Sequence, residues 1–97
     1  MLSAIDKDPD AVLPYVFDWT DWLDGDTISD AEVLVSPEEA GGVAVDASSR
    51  DDTKVTAWLK GGAVGSSYTV TCRVHPTSGV GRGMQDDRSI LVRVKQR

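Results

Sequence analysis

The sequence holds one cysteine, Cys72, and one histidine, His75, in 97 residues. A lone cysteine excludes an internal disulfide, and one cysteine with one histidine cannot build a zinc centre unless carboxylates supply the other ligands. No apolar run approaches the roughly 20 residues that span a bilayer. The opening "MLSAIDKDPD" lacks both the basic n-region and the apolar h-region of a signal peptide. The reading is therefore of a chain made in a cytoplasm, with no membrane contact. Basic residues are outnumbered, 10 against 16 acids, for a net charge of −6. An acidic chain of this kind is a poor candidate for binding nucleic acid.

What is present is a modest globular composition, 40% hydrophobic and 6% aromatic, unlike a disordered chain. A chain of this length is one domain, or one domain plus an arm, with room for one thin core. The charge is unevenly distributed. Residues 1–52 carry fourteen acids against Lys7 and Arg50, whereas residues 53–97 carry Asp86 and Asp87 against eight bases. This is either an ordinary solvated surface or a subunit whose acidic face meets a basic face of a neighbour.

Residues 1–14 show neither helical nor strand period. Asp8-Pro9-Asp10 signals a turn, and Pro14 biases Leu13 toward extended backbone. This segment reads as an N-terminal arm, with Leu2, Ile5, Val12 and Leu13 as apolar points that could dock on a partner. A frayed terminus is the plainer alternative.

From Tyr15 onward the period is two. "AEVLV" sets Ala31, Val33 and Val35 on one face, and "GVAVDA" groups Val43, Val45 and Ala47. "TKVTAWLK" opposes Val55, Ala57 and Leu59 to Trp58, while "SYTVTCRVH" turns Tyr68, Val70, Cys72 and Val74 inward. "RSILVRVKQ" does the same for Ile90, Val92 and Val94. Glycine-rich turn clusters separate these runs, and only "SPEEA" could hold a helical turn. The pattern predicts strands near 15–19, 26–28, 30–36, 43–48, 53–60, 66–75 and 87–96. About seven short strands at this spacing imply an all-β fold, a small antiparallel β-sandwich over residues 15–97.

Chemistry is scarce. The acids between Asp18 and Glu32 fail the calcium-loop pattern, since Asp24-Gly25-Asp26 has no bidentate glutamate at the right distance. Asp24-Gly25 reads instead as a hairpin turn. Cys72 is on the inward phase of its strand and His75 on the outward phase, so they cannot form a catalytic pair. No phosphate loop is present. The reading assigns no catalytic, cofactor-binding or metal-binding residue. The tryptophans are more telling. Trp19 falls in phase with Tyr15 and Phe17 as core, whereas Trp22 and Trp58 are candidates to anchor a partner. Val80, Arg82 and Met84, in the glycine-rich loop "PTSGVGRG" and just beyond it, are further candidates.

Three runs, "YVFDWTDWLDGDTISDAEVLVSP", "VTAWLKGGAVGSSYTVTCRV" and "DDRSILVRV", resemble a group of small tailed-bacteriophage virion proteins of immunoglobulin-like fold, the fiber–tail adaptors. The likeness spans roughly Tyr15 to Val94. Its motifs are D-W-x-D-W-L, W-L-x-G-G-x-x-G-x-x-Y-x-V-T-C and the closing D-R-S-I. The resemblance implies a non-enzymatic structural component, assembled in the host cytoplasm into the virion. Its partners would be other virion proteins: a tail or neck adaptor or nozzle, a fiber, or capsid protein. It would be present in multiple copies following particle symmetry. Rival readings are a capsid decoration protein, a carbohydrate- or host-surface-binding module using Trp22 and Trp58, and a calcium-dependent adhesion domain.

Overall fold

The computed structural model describes residues 3–38, 40–79 and 85–96. Seven strands form two sheets, and neither sheet closes into a barrel. The strands are β1 (Ser3–Lys7), β2 (Leu13–Asp18), β3 (Ile28–Ser36), β4 (Ala44–Arg50), β5 (Lys54–Lys60), β6 (Ser67–Pro76) and β7 (Asp86–Val94). One helical turn, α1 (Thr20–Leu23), joins β2 to β3, and a 3₁₀ turn (Thr77–Gly79) follows β6. The four-stranded sheet has the order β1-β7-β6-β3, and the three-stranded sheet has the order β2-β5-β4.

One apolar cluster draws on both sheets. The inward phases expected of β5, β6 and β7 are all buried: Val55, Ala57 and Leu59; Tyr68, Val70, Cys72 and Val74; Ile90, Val92 and Val94. Phe17 and Trp19 join them from β2 and its end, and Tyr15 meets Phe17 edge-to-face at 4.9 Å. Alternating side chains thus put one face of each strand in the core and the other in water.

Four expectations need correction. First, Ser3–Lys7 is not an arm but a strand, paired in parallel with β7 from Ser3↔Ile90 to Lys7↔Val94. The four-stranded sheet is therefore mixed rather than wholly antiparallel. The inward positions of β1 are Ile5 and Lys7, and a strand with an inward lysine leaves no apolar period to read. Lys7 is fully buried, and its Nζ donates to the Asp8 and Gly61 carbonyls at 2.8 Å each. Its ammonium therefore ties β1 to the β5–β6 turn. Second, β2 begins at Leu13, and Pro14 sits in it without breaking a ladder because β2 is an edge strand.

Third, an α-helical turn forms at Thr20–Leu23, outside "SPEEA", of which Glu39 is not among the described residues. Asp24 (φ 49°) and Gly25 (φ 89°) both adopt left-handed backbone, with the Asp24 N–H bonded to the Thr20 carbonyl. Asp24-Gly25 thus ends a helical turn instead of making a hairpin, and no separate strand covers 26–28. Fourth, a bulge between Val45 and Ala47 shifts the register of β4. Val45 pairs with inward Leu59, but Ala47 pairs with outward Trp58.

Sequence position also decides place in the sheets. All four edge strands, β1, β2, β3 and β4, come from the acidic half of the chain; the central strands β5, β6 and β7 come from the basic half. The two signs are therefore interleaved within one molecule. Arg73 meets Asp87 at 2.9 Å and Glu32 at 3.5 Å, Arg93 and Lys95 reach Asp6 at 3.3 and 3.6 Å, and Lys60 reaches Asp46 at 3.4 Å.

Candidate interaction site

Reactive groups are arranged as in a structural domain. Cys72 is completely buried, and burial pushes its thiol up to about 11, so it stays protonated and unreactive at neutral pH. His75 lies on the opposite face of β6. Among the described residues no group of three or more His, Cys, Asp or Glu could hold a metal ion. Asp26, at the centre of the acidic run, already accepts from the Thr27 and Ser78 N–H groups and from the Ser78 hydroxyl. The Ser78 hydroxyl, followed by the Thr27 N–H, holds its carboxyl below the usual range.

The tryptophans divide as their phases imply. Trp19 is fully buried, and the Arg88 guanidinium lies 4.3 Å from its ring centroid while donating to the Asp18 carbonyl. This cation–π contact fastens β7 to the end of β2. Among the described residues the indole Nε1 has no hydrogen-bond partner, and the Cys72 thiol is its polar neighbour. Trp22 is half-buried, packs edge-on against Trp19 at 5.4 Å, and borders a hollow of about 330 Å³ with Pro76 and Ser78. Trp58 is half-buried on the outer face of the three-stranded sheet, in register with Pro14 and Ala47. The two candidate anchors thus sit among different neighbours and do not form one platform.

The other candidates are equally divided. Ile5 is half-buried against the core, and Leu13 pairs with Leu59. Val12 is 51% exposed and, with Val16 at 48%, extends the apolar surface beside Trp58 and Pro14. Leu2, Val80, Arg82 and Met84 lie outside the described residues.

Two open margins separate the sheets. Along β2 and β7 runs a groove of about 360 Å³ bordered by Asp18, Arg88 and Ser89, where Phe17 and Ile90 are nevertheless buried. Along β3 and β4 lie two hollows of about 270 and 150 Å³. The first is lined by Val33, Val35, Val43 and Val45, and the second by Ala31, Ser48, Arg50 and Val55. Here Ala31, Val33 and Val35 point inward yet stay half-buried: β3 is an edge strand, and β4 turns Ser48 and Arg50 toward Ala31 and Val33, with Val43 and Val45 toward Val33 and Val35. Arg50 also donates to the Ile28 and Ser29 carbonyls at 3.0 Å each, closing one end. Sequence reasoning passed over Ser48, Arg50 and Arg88. The two-residue period of "GVAVDA" places Ser48 and Arg50 outward, and only the bulge in β4 turns them inward, so the sequence carried no signal for them.

A family model described as Podophage GP4 fiber-tail adaptor protein gp77 matches residues 7–93. No curated protein matches the chain.

Proposed function

The chain belongs to the podophage GP4 fiber-tail adaptor family, and from that premise we propose how this structure serves as an adaptor in the virion. Its role is structural and virion-associated, carried by contacts with other phage proteins. The match over residues 7–93, which takes in the whole of β2 through β6, is the observation that carries this reading.

In our reading the two sheets are the layers of a small immunoglobulin-like sandwich, since both contribute side chains to one apolar cluster. A rigid module with a dry interior and four edge strands suits a part that sits between larger subunits. It would join tail or neck proteins on one side to fibers on the other, in as many copies as the particle's symmetry demands. Assembly would take place in the host cytoplasm. The outer face of the three-stranded sheet offers one contact, with Val12, Val16 and Trp58 grouped between the Lys60–Asp46 pair and the Asp18–Lys54 pairing. Such a patch, apolar in its middle and charged at its rim, has the layout of a protein interface. Trp22, Ile5 and Leu13 would act from its margins.

The test is a phage unable to make this chain. Particles should package DNA and carry tails but lack fibers, and added purified protein should restore them. Fully fibered particles with fragile heads would instead favour capsid decoration.

A further inference from the structure

The open margin between β3 and β4 has the features of a slot for a missing strand. β3 is an edge strand, so every second residue turns its N–H and C=O away from β6. Ala31, Val33 and Val35 form an inward apolar row without full cover, which Val43 and Val45 face at one end and Ser48 at the other. The larger hollow along this row is bordered mainly by valine, unlike the Arg88-bordered groove on the other margin, and the smaller one runs from Ala31 and Val33 to Ser48 and Arg50. The row spans residues 31–35, about 16 Å of extended chain at roughly 3.3 Å per residue.

Charge says what kind of strand fits. Asp30 lies just before the row and Glu38 just after it, and neither carboxylate has an ion-pair partner among the described residues. A second copy of this chain is a poor occupant, because all its edge strands come from the acidic half. We propose that β3 is extended by an apolar segment of another virion protein with lysine or arginine at both ends, adding a fifth strand to the four-stranded sheet. Alternate side chains of that segment would cover Val33 and Val35 and face Val45 and Ser48 across the slot, the mode known as β-augmentation. The proposal rests on the adaptor reading and names the chemistry of one of its two partners.

The experiment measures binding of the purified chain to fiberless particles and, separately, to purified fibers. Ser48→Trp fills the slot from an exposed position, so its melting curve should match the wild type. It should bind one of the two targets at least tenfold more weakly and keep the other. Unaltered binding to both, or an equal loss on both, would overturn the slot and leave the adaptor role standing. Failure of the wild type to bind either target would overturn the adaptor role itself. If Ser48→Trp melts lower, the exposed charge reversal Asp30→Lys with Glu38→Lys carries the same expectation and the same refutation. In assembled particles, Ser48→Cys with a short crosslinker should capture a lysine- or arginine-flanked segment of a different protein. Capture of a second copy, or of nothing, would overturn the proposal.

Discussion

Strands β3 and β6 are hydrogen-bonded neighbours with the same alternation of apolar and polar residues. In β6 the inward Tyr68, Val70, Cys72 and Val74 are each at most 1% exposed, whereas inward Ala31, Val33 and Val35 of β3 stay half-buried. Nothing in either strand's own pattern distinguishes them. The difference comes from what lies opposite and beside: β6 is flanked by β7 and β3, while β3 has an open edge and faces a β4 whose later inward positions, Ser48 and Arg50, are polar. Alternation therefore reports which face a side chain takes, and the sheet order reports how much water it loses.

The sharpest way to break this comparison is a matched truncation. Val70→Ala should cost about 2–3 kcal/mol of unfolding free energy, as removal of two buried methyl groups with a residual cavity does. Val33→Ala, beside the open slot, should cost less than about 1 kcal/mol, since the site collapses and is already wet. Urea denaturation of both variants decides it, and equal costs would mean that β3 is covered in the folded chain.

A second contrast is between β3 and β1, the two edges of the same sheet. Lys7→Ala should destabilise by about 2 kcal/mol through loss of two charge-assisted hydrogen bonds. Hydrogen exchange should speed up at Ile5 and Lys7 with little change at Leu34. Burial lowers the Lys7 pKa, against the opposing pull of Asp8 and Asp10. The folded state then binds fewer protons than the unfolded one just below 10.5, so this group's contribution to stability rises with pH there. In Lys7→Met that rise should vanish.

At the acid end stability again rises with pH, now through exposed carboxylates. Asp18 is held low by the Thr20 hydroxyl, Asp51 by the Thr53 and Lys54 N–H groups, and Asp87 by Arg73. Their contributions are intact at neutral pH and are lost as pH falls through values below 3.8. Melting temperature should hold from pH 7 to about 4 and decline below it, where these carboxylates protonate. Asp51→Asn should shift the onset of that decline, and an unshifted curve would remove Asp51 from the account.

The smallest effect concerns Cys72. Native protein should react with an aromatic disulfide reagent only as fast as the core opens, and unfolded protein at once. A native thiol that reacts at the rate of a free one would contradict its burial in β6.

Much of the architecture was legible. The inward sets of β5, β6 and β7 follow from their two-residue period, and Trp19 follows from its phase with Tyr15 and Phe17. β1 was hidden because its inward positions are Ile5 and Lys7, and a lysine becomes an interior residue only when distant carbonyls receive it. The bulge at Val45–Ala47 was hidden because an inserted residue leaves the letters of a strand unchanged while flipping all that follows. The slot was hidden with it, because only the bulge turns Ser48 and Arg50 toward Ala31 and Val33.

By itself the sequence determined the strand period, the dryness of the interior, the absence of a paired Cys72 and His75, and the segregation of acids to the first half of the chain. These are local properties, set by side-chain chemistry and by the alternation of an extended backbone. Tertiary structure decided which strands became edges, how β1 was recruited, and where the core was left uncovered. Those outcomes depend on pairing between residues distant along the chain, such as Lys7 with Gly61 and Arg50 with Ile28, and no local pattern encodes a partner's identity.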